Sequence, residues 1–184
     1  MKLFVWIPKT GGTSYFSQLQ KEGMQLYLED DLHKFNNEGS ACFGHIDVKV
    51  LLRGGVISKE YWENAEKFCV VRNPYDRFVS LYNDFLKSGR IFPDTSIRKF
   101  AVSLPTLTRK PGHYNVKDFS QTASQCEWIV PGVEIRRFEE VTKDLPHLNK
   151  STDRDYMSYY NDELIQIVNT LYADDFAILN YKTI

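Results

Sequence analysis

The chain has 184 residues, 42% hydrophobic and 26% charged, which suits one globular domain over 1–184 and excludes extensive disorder. Its 23 basic and 24 acidic residues leave a formal charge of −1, so no global positive field exists to hold nucleic acid or an anionic membrane. No apolar run approaches the length of a membrane span, and the first residues meet Pro8 too soon for a signal peptide, so a cytoplasmic protein is expected.

Leu3 to Ile7 is a short apolar run ending at Pro8-Lys9-Thr10-Gly11-Gly12, the pattern of a buried strand feeding a glycine loop. A helix should follow, capped by Thr13 or Ser14, carrying Phe16 and Leu19, and closed by Gly23. Met24 to Leu28 reads as a second strand, and Ala41-Cys42-Phe43 as another that ends at Gly44-His45. Phe68 to Val71 is a further strand, after which Asn73 can cap a helix and Pro74 suits its first position. Phe78, Leu81, Tyr82, Phe85 and Leu86 then recur at helical spacing up to Gly89.

Residues 87–117 carry a net charge of +6 and read as a basic insertion that could cover a binding crevice, with Phe92, His113 and Tyr114 able to stack on a sugar. Val133 to Phe138 is a last strand, and Leu164, Ile165, Val168 and Leu171 mark a helix near the C-terminus. Strands alternating with helices define an α/β fold, a three-layer sandwich with a central, mostly parallel sheet flanked by helices. Cys42, Cys69 and Cys126 are odd in number and include no CxxC pair, so reduced, mostly buried thiols are expected rather than disulfides or a zinc site.

Ligands of open parallel sheets sit beyond the carboxyl ends of the strands, where the polar segments 8–14, 44–45 and 72–74 should converge. Gly11 and Gly12 let backbone approach an anion, the helix N-terminus points amides at it, and Lys9, Thr13 and Ser14 add charge and hydroxyls. Arg72, at a strand end, offers a bidentate fork to a phosphate, and Ser80 a third bond. The loop is not the GxxxxGK[ST] phosphate motif, because Lys9 precedes both glycines.

Ile7-Pro8-Lys9-Thr10-Gly11-Gly12-Thr13-Ser14 and Val71-Arg72-Asn73-Pro74-Tyr75-Asp76-Arg77-Phe78-Val79-Ser80-Leu81-Tyr82 together resemble two motifs of the sulfotransferase superfamily, whose donor is 3′-phosphoadenosine 5′-phosphosulfate. The wording is nearest to the carbohydrate 2-O- and chondroitin or dermatan branch, and the likeness to the superfamily continues more weakly at Phe138 to Val141, Leu148 to Ser151 and Tyr172 to Phe176. The resemblance implies a P-loop-like fold in which Lys9, Thr10, Gly11, Gly12, Thr13 and Ser14 hold the 5′-phosphosulfate and Arg72 and Ser80 the 3′-phosphate, with Lys150 and Ser151 as further nucleotide contacts.

It also implies sulfuryl transfer without a metal, giving 3′-phosphoadenosine 5′-phosphate as product, with Lys9 offsetting charge on the bridging oxygen. The acceptor is expected to be a hydroxyl on a carbohydrate or small molecule, sugar-like or anionic. A bacterial or viral source, or an excised catalytic domain, fits a chain without targeting segments. His45 is the leading candidate for the general base, since Gly44-His45 resembles the step that carries it in the 2-O branch; Glu22 and Asp47 are the carboxylate alternatives. A small magnesium-dependent kinase and a non-catalytic nucleotide-binding module are the competing readings. Against the first, Val70-Val71 runs into Arg72 rather than a metal-binding aspartate.

Overall fold

The structure, a computed structural model, describes residues 1–106, 120–141 and 155–184. Five strands, β1 (Lys2–Val5), β2 (Gln25–Leu26), β3 (Ala41–Cys42), β4 (Glu66–Val71) and β5 (Glu134–Arg137), form one sheet in the order β2-β3-β1-β4-β5. Every pairing is parallel. The helices in chain order are α1 (Gly12–Lys21), α2 (Val48–Arg53), α3 (Lys59–Asn64), α4 (Pro74–Lys87), α5 (Ile97–Ser103), α6 (Phe138–Val141), α7 (Asp162–Leu171) and α8 (Ala173–Ile178), joined in places by short 3₁₀ turns.

Side-chain alternation along the strands builds a layer on each side of the sheet. Phe4, Phe68, Val70 and Cys42 share one cluster with Phe16 and Leu19 of α1, and the Phe4 and Phe68 rings stack with centroids 5.4 Å apart. On the opposite face Leu3 and Ala41 pack with Val48 and Leu51 of α2 and Tyr61 of α3, while Val5, Cys69 and Val71 meet Trp128 and Leu179. The stripe expected on α4 is buried at Phe78, Leu81 and Phe85 and half-buried at Tyr82 and Leu86, and it joins α5, α7 and α8 in a separate helical core with Phe100 and Val168. Cys42 and Cys69 are buried free thiols and Cys126 is partly exposed; burial pushes all three up to about 12.

Several boundaries differ from expectation, for identifiable reasons. The first strand stops at Val5 rather than Ile7, because the next carbonyls are engaged elsewhere: Trp6 O by His45 Nδ1 at 2.9 Å, and Ile7 O by the Thr10 hydroxyl at 2.9 Å. Neither Thr13 nor Ser14 caps α1. Gly11 does, at φ 77 and with no side-chain bond, and the helix begins one residue later. The second strand is cut to two residues, since Leu28 O accepts from Asp31 N and opens a 3₁₀ turn over Glu29–Lys34. Asn73 caps α4 as expected, its side chain accepting from Tyr75 N at 3.0 Å.

Residues 97–104, part of the stretch read as an insertion, send one face into the core: Phe100, Ala101 and Leu104 are almost fully buried, and Arg98 pairs with Glu163 of α7 at 2.7 Å. Residues 107–117, including His113 and Tyr114, lie outside the described residues, as do Lys150 and Ser151. Among the described residues no helix is long and apolar enough to cross a membrane.

Candidate active site

Strand β1 is central, with β3 and β4 as neighbours, so the chain segments leaving these three strands come together at one edge of the sheet. Three hydrogen bonds to carbonyls just after β1 tie them. Trp6 O accepts from His45 at 2.9 Å, Pro8 O from Arg77 Nε at 3.0 Å, and Lys9 O from Arg72 Nη1 at 3.3 Å. The structure therefore brings together the loop 8–14, His45 and Arg72.

The loop owes its shape to Lys9, at φ 65, and Gly11, at φ 77, both in the left-handed region. Lys9 holds that conformation with its carbonyl bonded to Arg72. A Cβ on Gly11 would run into the Phe138 ring, and one on Gly12 into the Trp6 indole. The glycines thus admit two aromatic side chains as well as exposing backbone. No side chain caps α1, so the amides of Gly12 and Thr13 open the helix at its positive end. Thr10 is fully buried with its hydroxyl on Ile7 O, which makes it a loop brace.

Both leading cations are held by carboxylates of α4. Arg72 gives Asp76 a bidentate pair at 2.7 Å and 2.7 Å, and its guanidinium lies 4.5 Å from the Phe138 ring centroid. Lys9 Nζ meets Asp84 Oδ1 at 3.0 Å, and Arg90 bonds the other oxygen of Asp84. Ser80 is buried one turn before Asp84 on α4.

His45 is partly buried, its ring 5.0 Å from that of Trp6. Because a carbonyl can only accept, the Trp6 bond fixes the proton of neutral His45 on Nδ1 and leaves Nε2 as the basic nitrogen. Burial disfavours the imidazolium and the charges of Lys9 and Arg77 disfavour it further, against the opposing influence of Trp6 O and Asp84. The pKa falls from 6.5 to about 4. The unfolded chain takes up a proton near pH 6.5 that the folded chain refuses until about pH 4, so this contribution to stability is whole above that window and is lost as pH falls through it. Between about pH 7 and pH 5 the wild type should lose more melting temperature than His45→Gln; equal losses would show that His45 is not desolvated.

The carboxylate alternatives have other partners. Glu22 ends α1 and pairs with Lys2, at the amino end of β1, and Asp47 caps α2 by accepting from Lys49 N at 2.8 Å. The carboxylate that does stand in the site, Asp84, was not singled out from the sequence; its place four residues after Ser80, one turn along the same face, is the signal that could have found it. Arg77 and Gln125 were missed as well. Fully buried Gln125 clasps the Arg72 backbone, its Oε1 accepting from Arg72 N at 2.8 Å and its Nε2 donating to Arg72 O at 2.9 Å. Asp175, also fully buried, holds Gln125 Nε2 at 3.2 Å and Ser124 Oγ at 2.5 Å, which gives the 172–176 segment its structural task.

Residues 4–128, about two thirds of the chain, match the Sulfotransferase family model. The chain belongs to the sulfotransferase family, and the general chemistry of that family is sulfuryl transfer. No curated protein and no solved structure matches it significantly.

Proposed function

We propose that this chain moves a sulfuryl group from 3′-phosphoadenosine 5′-phosphosulfate to a hydroxyl of a carbohydrate or small molecule, with His45 as general base. The observation that carries this reading is the convergence on the loop after β1, where amide donors, Lys9, Arg72 and a neutral imidazole meet. The donor set suits such a ligand: it is cationic and amide-rich, and Arg72 already holds a planar oxyanion, the Asp76 carboxylate, in a bidentate grip.

On this reading the amides of Gly12 and Thr13, with Lys9, hold the 5′-phosphosulfate, and Arg72 with Ser80 holds the 3′-phosphate. His45 Nε2 accepts the acceptor's proton as the acceptor oxygen bonds to sulfur and the bond from sulfur to the bridging oxygen breaks. The Lys9 ammonium offsets the charge left on that oxygen.

Thermal stabilisation tests the proposal directly. At about 100-fold over its dissociation constant, 3′-phosphoadenosine 5′-phosphate should add roughly 2.7 kcal/mol, or about 5–10 °C for a domain of this size. The shift should need no magnesium and exceed that from adenosine 5′-phosphate. A larger shift from ADP with magnesium would transfer the case to phosphoryl transfer, and no shift with any nucleotide would overturn the cofactor site.

A further inference from the structure

The ion pairs of the site share one source. Asp76 lies one turn beyond Arg72, at the start of α4, and Asp84 two turns further along the same helix. Asp84 is gripped from two sides, by Lys9 at 3.0 Å and by Arg90, and its side chain is only 34% exposed. Arg90 is itself fixed, its Nε donating to Ser88 Oγ at 2.8 Å and its guanidinium lying 3.8 Å from the Phe85 ring centroid. Lys9, Asp84 and Arg90 thus form a built network rather than a chance surface contact.

We infer that Asp76 and Asp84 act as internal competitors of the ligand, carboxylates that occupy the oxyanion positions of Arg72 and Lys9 and hold down the affinity of every anion that must take their place. The inference rests on the proposed donor for the identity of the favoured ligand. An anion reaching Lys9 must displace or crowd the Asp84 carboxylate, and one reaching Arg72 must do the same to Asp76. Each displacement cancels part of the new contact. A ligand with one phosphate sets one diminished contact against its whole loss of translational freedom. A nucleotide with anionic groups on both its 3′ and 5′ positions makes both contacts for a single such loss.

Calorimetric titration of inorganic pyrophosphate, adenosine 5′-phosphate, adenosine 3′-phosphate and 3′-phosphoadenosine 5′-phosphate into the full chain and its variants tests this. Asp84→Asn should bind pyrophosphate and adenosine 5′-phosphate about fivefold more tightly than the wild type, the scale of one partly exposed ion pair. Asp76→Asn should gain similarly for adenosine 3′-phosphate. Arg90→Gln should move the other way, because Asp84 then belongs to Lys9 alone, and Asp84→Glu should keep the wild-type affinities.

A merely structural Asp84 would weaken binding in the Asp84→Asn and Arg90→Gln variants alike. Pyrophosphate binding in Asp84→Asn no tighter than in the wild type would overturn the inference. Failure of the wild type to bind 3′-phosphoadenosine 5′-phosphate would instead overturn the proposed donor, while the pyrophosphate comparison still decides the role of Asp84.

Discussion

His45→Ala should lower turnover by about two to four orders of magnitude while leaving the affinity for 3′-phosphoadenosine 5′-phosphate within about twofold of wild type, as removal of a general base does. The measurement is transfer of radiolabelled sulfur from the donor to whichever hydroxyl acceptor the wild type turns over, with nucleotide affinity from calorimetry. The expectation of intact affinity follows from position. His45 reaches the loop through Trp6 O, three residues before Lys9 and outside the amides of α1. Its depressed pKa keeps the imidazole neutral at pH 7 and ready to accept a proton, so wild-type turnover should stay level down to about pH 5 as far as this group governs it. Unchanged turnover in His45→Ala would remove the assignment and leave Asp84 as the carboxylate in the site.

The second large effect concerns stability. Arg77 is 1% exposed and donates to Pro8 O at 3.0 Å, Ala123 O at 2.9 Å and Gln121 O at 2.8 Å. It fastens the loop after β1 and the segment 121–123 to α4. Arg77→Met keeps much of the volume but deprives three buried carbonyls of a charged donor, which should cost about 3–5 kcal/mol. Thermal melting should fall by about 10–15 °C for a domain of this size, and a fall under about 3 °C would show that water or a rearranged neighbour replaces the guanidinium. Nucleotide-induced stabilisation should shrink in the same variant, since Pro8 adjoins Lys9.

Local pattern carried much of this architecture. The continuous apolar run at β4 and the Asn73-Pro74 start of α4 are local signals, and they located both elements closely. Placing Lys9, His45 and Arg72 together needed only the rule that parallel strands present their carboxyl ends to one edge. What stayed hidden depended on contacts far apart in sequence. The early end of β1 depends on Trp6 O meeting His45, 39 positions away. Arg77 reads as the middle of a motif, yet its acceptors lie 69, 46 and 44 residues away in the chain. Asp84 looks like an ordinary solvated helix residue until Lys9 and Arg90 are seen on either side of it. Within the basic stretch, Phe100 and Leu104 carry the apolar spacing of a core helix, a signal that the surrounding charge obscures.

The contact between Trp6 and the glycine loop has a practical consequence. Trp62, on α3, lies beneath the ammonium of Lys67 on β4, and Trp128 is buried beside Leu179. Trp6 alone of the three adjoins Gly12 and His45. Its indole is a chromophore built into the wall of the site, so that its emission registers a charge arriving at the imidazole or an anion settling on the α1 amides, with no label attached.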